Sequence, residues 1–208
     1  MCIRDSPYLL ETATLKVWVH DFTLSFNGAG QLAFSDLKEV FEEAFLHIWQ
    51  GHASSDDFNR LVLRGQIPWR CVAMLRAYAA YMKQIRFPIS AEAISNTLNS
   101  YVGLASLLVQ LFHARFEPGN IADGEEIEQQ ILAQLEDVAS LNDDRVIRQY
   151  LALIKATLRT NFYQQGEQGL HGYFSFKFAP EQIPGIPLPK PRYEIFVYAP
   201  WVLSLIHI

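Results

Sequence analysis

The stretch DFNRLVLRGQIPWRCVAMLRAYAAYMKQ (residues 57–84) decides the fold, reading as a short helix, a tight turn and a second helix with the most apolar surface in the chain. Ser55, Asp56 and Asp57 are N-cap and first-turn residues, which accept from or complement the free N–H groups of a helix start. Phe58, Leu61, Val62 and Gly65 fall on one side, and Gly65 suits a left-handed stop after Arg64. Pro68 belongs in the first turn of the second helix, where its missing N–H would be unpaired anyway. Trp69, Val72, Ala73, Arg76 and Ala80 follow one stripe there, and Leu75, Tyr78, Ala79 and Met82 another. So broad an apolar face predicts burial on more than one side. Phe87-Pro88 is expected to end the helix, because the residue before proline is pushed out of the α region.

Upstream, LKVWVHDFTLSF (residues 15–26) alternates as a strand, with Val17 and Val19 on one face and Phe22, Leu24 and Phe26 on the other. Asn27, Gly28, Ala29 and Gly30 form a turn signal. Ser35 is read as the cap of a helix carrying Leu37, Phe41, Ala44, Phe45 and Ile48 at a 3.6-residue period, which Gly51 closes.

Downstream, Ser90 opens a helix through Ile94 and Leu98, and Leu104, Leu107, Leu108, Leu111, Phe112 and Phe116 mark another. Glu117, Pro118, Gly119 and Asn120 break the pattern. A helix begins around Glu125, Glu126 and Glu128, with Ile127, Ile131, Leu135 and Val138 inward. A long one begins at Asn142, Asp143 and Asp144, with Ile147, Tyr150, Leu151, Ile154 and Leu158 inward. QQGEQGLHG (residues 164–172) is a polar linker, and two alternating strands follow, at 173–178 and 192–198. The IPGIPLPKP between them (residues 183–191) is too proline-rich to be anything but an extended connection.

The expected fold is therefore mainly α, α+β overall, with a multi-helix connector flanked by an N-terminal edge strand and a C-terminal β-ribbon. Half of the 208 residues are hydrophobic and 19% are charged, which places the chain in the globular class. A net charge of −5 argues against a nucleic-acid surface, and no apolar run reaches membrane-spanning length. Two cysteines make no disulfide framework, and a cytoplasmic setting follows as the expectation. MCIRDS (residues 1–6) and LSLIHI (residues 203–208) resemble translated library adapter and are set aside as artefacts, which makes the remainder an internal piece of something longer.

Few groups of residues suggest chemistry. His20 and Asp21 are adjacent on a strand and point to opposite faces, so a surface role is expected. His47 and His52 flank Gly51 at a helix end, without the further ligands that a metal would need. Arg145, Arg148, Lys155 and Arg159 stand near Glu136, Asp137, Asp143 and Asp144, which favours a solvated face with local ion pairs over a phosphate stripe. Trp49, Trp69, Tyr78 and Tyr81 are read as core aromatics. No glycine-rich dinucleotide turn, P-loop, CxxC pair or HExxH motif is present, and no catalytic, cofactor-binding or metal residue is assigned.

One set of segments, taken in order, is specific. FNRLVL (58–63), Trp69-Arg70, LRAYAAYMKQ (75–84), LLVQLFHARFEP (107–118), LRTNFYQ (158–164), SFKF (175–178) and IPLPKPRYEIFVYAP (186–200) together resemble the large NAD-dependent glutamate dehydrogenases of bacteria. The resemblance implies a last strand of an ACT-type regulatory domain at 7–30, a helical connector at 31–165 and the first strands of the catalytic core at 166–200. It also implies that NAD and the catalytic lysines belong to sequence downstream, so the segment itself is expected to be inactive. Its expected partners are the rest of its own chain and, in the parent enzyme, a homo-oligomer, with no nucleic acid or membrane. A stand-alone helical protein-interaction module is the alternative.

Overall fold

The structure, a computed structural model, describes residues 2–12, 14–25, 34–166 and 169–207. It divides into two compact units, Met1–Ala33 and Phe34–Ile208.

The first unit holds an antiparallel ribbon of β1 (Cys2–Glu11) and β2 (Lys16–Ser25), with Leu9 opposite Trp18 and Cys2 opposite Ser25. Thr12 turns the chain: its hydroxyl donates to the Leu15 carbonyl at 3.1 Å and accepts from the Leu15 N–H at 3.0 Å. The sequence reading expected one strand over 7–30 and set 1–6 aside. A lone strand leaves a row of unpaired N–H and C=O groups, and here residues 2–11 fill that row. The turn expected at 27–30 lies outside the described residues, as does the side chain of Ser35.

The second unit opens with α1 (Phe34–Trp49), closed by Gly51 at φ 77° as expected. A 3-10 turn (Asp57–Asn59) leads into α2 (Arg60–Arg64), and α3 (Trp69–Gln84), α4 (Ala91–Ser100), α5 (Val102–Phe116), α6 (Gly124–Leu135) and α7 (Leu141–Ala156) follow. After α7 come β3 (Thr157–Thr160), a small ribbon of β4 (Gln165–Gly166) and β5 (Gly169–Leu170), then β6 (Phe174–Phe178), β7 (Glu194–Ala199) and β8 (Val202–His207). β3, β6, β7 and β8 form one antiparallel sheet in that order. The fold is mainly α with an antiparallel β component.

Side-chain caps set the helix starts. Asp56 accepts from the Phe58 N–H, Ser90 from Ala93, Asp123 from Glu125 and Glu126, and Ser140 from Asp143. The last two lie just upstream of the acidic residues that the sequence reading took as the starts of α6 and α7.

α3 is the axis of the unit. From Arg70 to Met82 every residue but Ala80 is buried, because the other helices cover one side and the sheet covers the other. Tyr81 stacks on Phe178 of β6 with ring centroids 4.3 Å apart and meets Phe196 of β7 at 5.3 Å, while Tyr78 packs on Phe176 at 4.8 Å. Helices and sheet therefore share one continuous hydrophobic core.

Several local expectations are corrected. Gly65 has φ −110°, and the left-handed residue is Gln66 at φ 50°. Space explains the glycine, since a Cβ at position 65 would stand 2.9 Å from Val102 Cγ1. α3 stops at Gln84, before Phe87-Pro88 can act. Arg86 turns left-handed at φ 60° and donates to the Lys83 carbonyl, while Phe87 donates to that of Met82, a Schellman closure. Leu158, expected inward on the long helix, is exposed on β3 because α7 ends at Ala156. Trp49 is 77% exposed and no core aromatic: it continues a stacked outer row with Phe41 and Phe45. β8 pairs with β7, which thus has a neighbour on each edge.

Candidate functional site

The seam between α3 and the sheet carries several of the buried polar groups of this unit. The Tyr81 hydroxyl donates to the Glu194 carboxylate on β7, and Glu194 is 2% exposed. The Tyr78 hydroxyl meets that of Thr157 at 2.9 Å, Thr157 donates onward to the Leu153 carbonyl at 2.7 Å, and Tyr150 donates to the Leu75 carbonyl at 2.9 Å. Burial raises the pKa of all three phenols, and for Tyr81 the Glu194 carboxylate adds to the rise. These groups stay protonated, so each can donate a hydrogen bond or relay a proton.

Arg70, at the start of α3, is buried in the same seam. Its Nη1 donates to the His171 carbonyl at 3.0 Å and its Nη2 to that of Phe162 at 2.9 Å, with the guanidinium 4.9 and 5.0 Å from the ring centres of Phe162 and Phe174. Nε is shielded and has no partner, and among the described residues no carboxylate forms an ion pair with this cation. Burial lowers its pKa. A shallow cleft partly open to solvent, its enclosed part about the size of one water molecule, lies against it, lined also by His52, Trp69, Arg76, Phe174 and Tyr198.

A second polar cluster joins α3, α5 and the turn after β3. Cys71 Sγ lies 3.4 Å from His113 Nε2, the Tyr163 hydroxyl contacts His113 Nδ1, and Glu117 Oε2 lies 3.7 Å from the same nitrogen. A neutral His113 with the proton on Nε2 fits both neighbours, donating to sulfur and accepting from the phenol. Burial lowers the pKa of His113 and pushes the Cys71 thiol up to about 12, so this sulfur is no nucleophile at neutral pH.

The groups singled out in the sequence are spread over the molecule. His20 and Asp21 are exposed on β2. The turn at Gly51 brings His47 and His52 to an Nδ1–Nδ1 distance of 3.3 Å, and His47 stacks on Trp69, whose Nε1 donates to Glu43 at 3.0 Å. Burial and the neighbouring His52 lower the pKa of His47. Among the described residues no three His, Cys, Asp or Glu side chains gather into a metal site. Arg145, Arg148, Lys155 and Arg159 are exposed; Arg148 pairs with Asp144 at 2.9 Å and Lys155 with Glu128 at 2.5 Å.

The sequence reading passed over Arg70, Cys71, His113, Tyr163 and Glu194. Glu194 carried a signal: it shares the inward register of its strand with Phe196 and Tyr198, where a carboxylate needs a buried donor. Arg70 carried one too, as a charge inside an all-round apolar helix.

Residues 53–118 match the family model for glutamate dehydrogenase helical motif 3, and residues 130–208 match that for the catalytic domain of bacterial NAD-glutamate dehydrogenase. The NAD-specific glutamate dehydrogenase of Halomonas elongata is 46% identical over 204 residues, which cover 96% of this chain and 13% of that protein. The enzyme of the same name from Pseudomonas aeruginosa is 47% identical over 209 residues, with the same two shares. The chain belongs with the bacterial NAD-glutamate dehydrogenases. The Mycobacterium tuberculosis NAD-specific glutamate dehydrogenase is 36% identical over 200 residues, covering 90% of this chain and 12% of its own length. The chain thus spans about an eighth of the length of these curated relatives. The two matched ranges of this glutamate dehydrogenase segment part between 118 and 130, at the loop before α6 and its first turns, so α7 falls with the sheet. The catalytic-domain range runs on to residue 208 and includes β8.

Proposed function

We propose that this chain serves within an enzyme that oxidatively deaminates L-glutamate to 2-oxoglutarate and ammonia, with NAD as oxidant. The observation that carries the reading is identity of 46 to 47% to NAD-specific glutamate dehydrogenases along 96% of the chain. NAD, when bound, accepts the hydride from the α-carbon of glutamate. The residues present here do other work: they hold helices and the first strands of the catalytic domain in one block. Tyr81 and Glu194 lock α3 to β7, Tyr78 and Thr157 lock it to the end of α7, and Arg70 ties it to the turns at Phe162 and His171.

The segment's role is thus structural and regulatory. It is a frame between an ACT-type regulatory region, to which residues 7–30 would belong, and a catalytic core that binds NAD through sequence not included here. Its partners are the remainder of its own polypeptide and, through it, other copies of the same enzyme, in the cytoplasm. Among the described residues no helix is long and apolar enough to cross a membrane.

The test is a comparison of this chain with the full-length enzyme that contains it. The full-length protein is expected to reduce NAD with glutamate, and the 208-residue chain to show neither NAD binding by calorimetry nor turnover. Activity from the short chain would overturn the assignment.

A further inference from the structure

α1 carries apolar side chains on two faces. Val40 and Ala44 turn to the core, and His47 stacks on Trp69 at the start of α3 with ring centroids 3.9 Å apart. A second row, Phe41, Phe45 and Trp49, runs along the helix as consecutive ring stacks, with centroids 6.1 and 6.0 Å apart. Each step of four residues turns about 40° further round a helix axis, so the row leaves the core margin and ends in solvent. Phe41 is half-buried, while Leu46 is 54% exposed and Trp49 77%. Single exposed apolar residues are ordinary, but a contiguous group that includes a tryptophan has the composition of a binding surface. The stack holds Trp49 in one orientation beforehand, which lessens the ordering that docking would cost. Beside the row Lys38 and Glu42 stand 3.9 Å apart and offset each other's charge, so the face suits an apolar partner.

We propose that the Phe45, Leu46 and Trp49 face of α1 is the docking surface for the part of the enzyme's own polypeptide that precedes this chain, which meets it with an apolar element. Two observations select this occupant. The first is size: an interface between free proteins takes about 20 to 30 residues a side, and this face offers a few side chains. That is too little to hold a second copy, whereas a tethered segment is present at high effective concentration and needs less contact. The second is position. The curated relatives are far longer, with 13% of each matched here, and α1 lies ahead of both family ranges, which begin at residues 53 and 130. The inference rests on the reading of this chain as a segment of a longer dehydrogenase.

The test uses the full-length enzyme with the photoreactive p-benzoylphenylalanine in place of Trp49. After irradiation, denaturing electrophoresis separates links within one polypeptide from links between two, and mass spectrometry identifies the partner peptide. The expected link lies within one polypeptide and joins residue 49 to sequence that precedes this chain. In parallel, Trp49→Cys in the full-length enzyme should react with a water-soluble maleimide on the order of tenfold more slowly than Trp49→Cys in the 208-residue chain. If the cysteine variant of the full-length enzyme does not fold, the photoreactive residue decides. A link to a second copy, a link to the catalytic domain, or equal maleimide rates in the two proteins would each overturn the proposal. An enzyme that turns over glutamate yet leaves residue 49 unprotected sinks the docking surface alone, and a full-length protein without turnover sinks the dehydrogenase reading.

Discussion

Tyr81 on α3 donates its hydroxyl hydrogen to Glu194 on β7, and this bond closes a loop of 113 residues. Both ends are almost wholly shielded from water. Tyr81→Phe keeps the ring stack on Phe178 and removes only the donor. The expected loss is about 1 to 3 kcal/mol of unfolding free energy in urea, because the carboxylate stays buried. A loss under about 0.5 kcal/mol would mean that the bond adds nothing to the seam.

The same seam predicts an alkaline limit. Tyr78, Tyr81 and Tyr150 have pKa values above the ordinary 10.0 when folded. Above pH 10 the unfolded chain loses phenolic protons that the folded chain keeps, so stability must fall as pH rises through and beyond that value. Urea midpoints at stepped alkaline pH should decline, and phenolate absorbance from these three residues should emerge only with unfolding.

An acidic limit follows from His113. Its folded pKa lies below the ordinary 6.5, so below pH 6.5 the unfolded chain takes up a proton that the folded chain refuses. Stability is then fully present above that value and is lost as pH falls through the window down to the folded pKa. His113→Gln, which keeps a donor near Cys71, should flatten this part of the pH profile relative to wild type. His47 shares the direction of shift, so the fair comparison is with a His47→Gln background.

Gly65 tests sterics against backbone freedom. Its φ is ordinary, yet a Cβ would stand 2.9 Å from Val102 Cγ1 and 3.0 Å from Ile67 Cγ1. Gly65→Ala should cost about 1 to 3 kcal/mol from overpacking. Val102→Ala in the same chain should recover part of that loss. A stabilising Gly65→Ala would show that the helix end gives way.

What could be read beforehand was what local chemistry decides. The breadth of the apolar face on α3, the proline break after α5 and the alternation of β6 and β7 all depend on near neighbours, and each corresponds to an element of the structure. The misreadings arose where distant residues take over. Gly65 looked like a left-handed stop, but the reason for its small size is Val102, 37 positions away. Leu158 fits the period of α7, yet pairing with β6 turns the backbone to strand one residue before it. The seam was invisible for the same reason, since Tyr81 and Glu194 carry no mutual signal until the sheet folds onto the helix.

α7 ends at Ala156 and β3 begins at Thr157, with not one residue between them. Thr157 is wedged there, its hydroxyl held by both Leu153 and Tyr78. A joint of this kind has no slack: a twist applied near Leu141 cannot be absorbed in a loop and must reach the sheet margin as a shift of β3. Within this chain α7 is thus a stiff lever on β3, and strain arising at its far end is passed to the margin of the sheet.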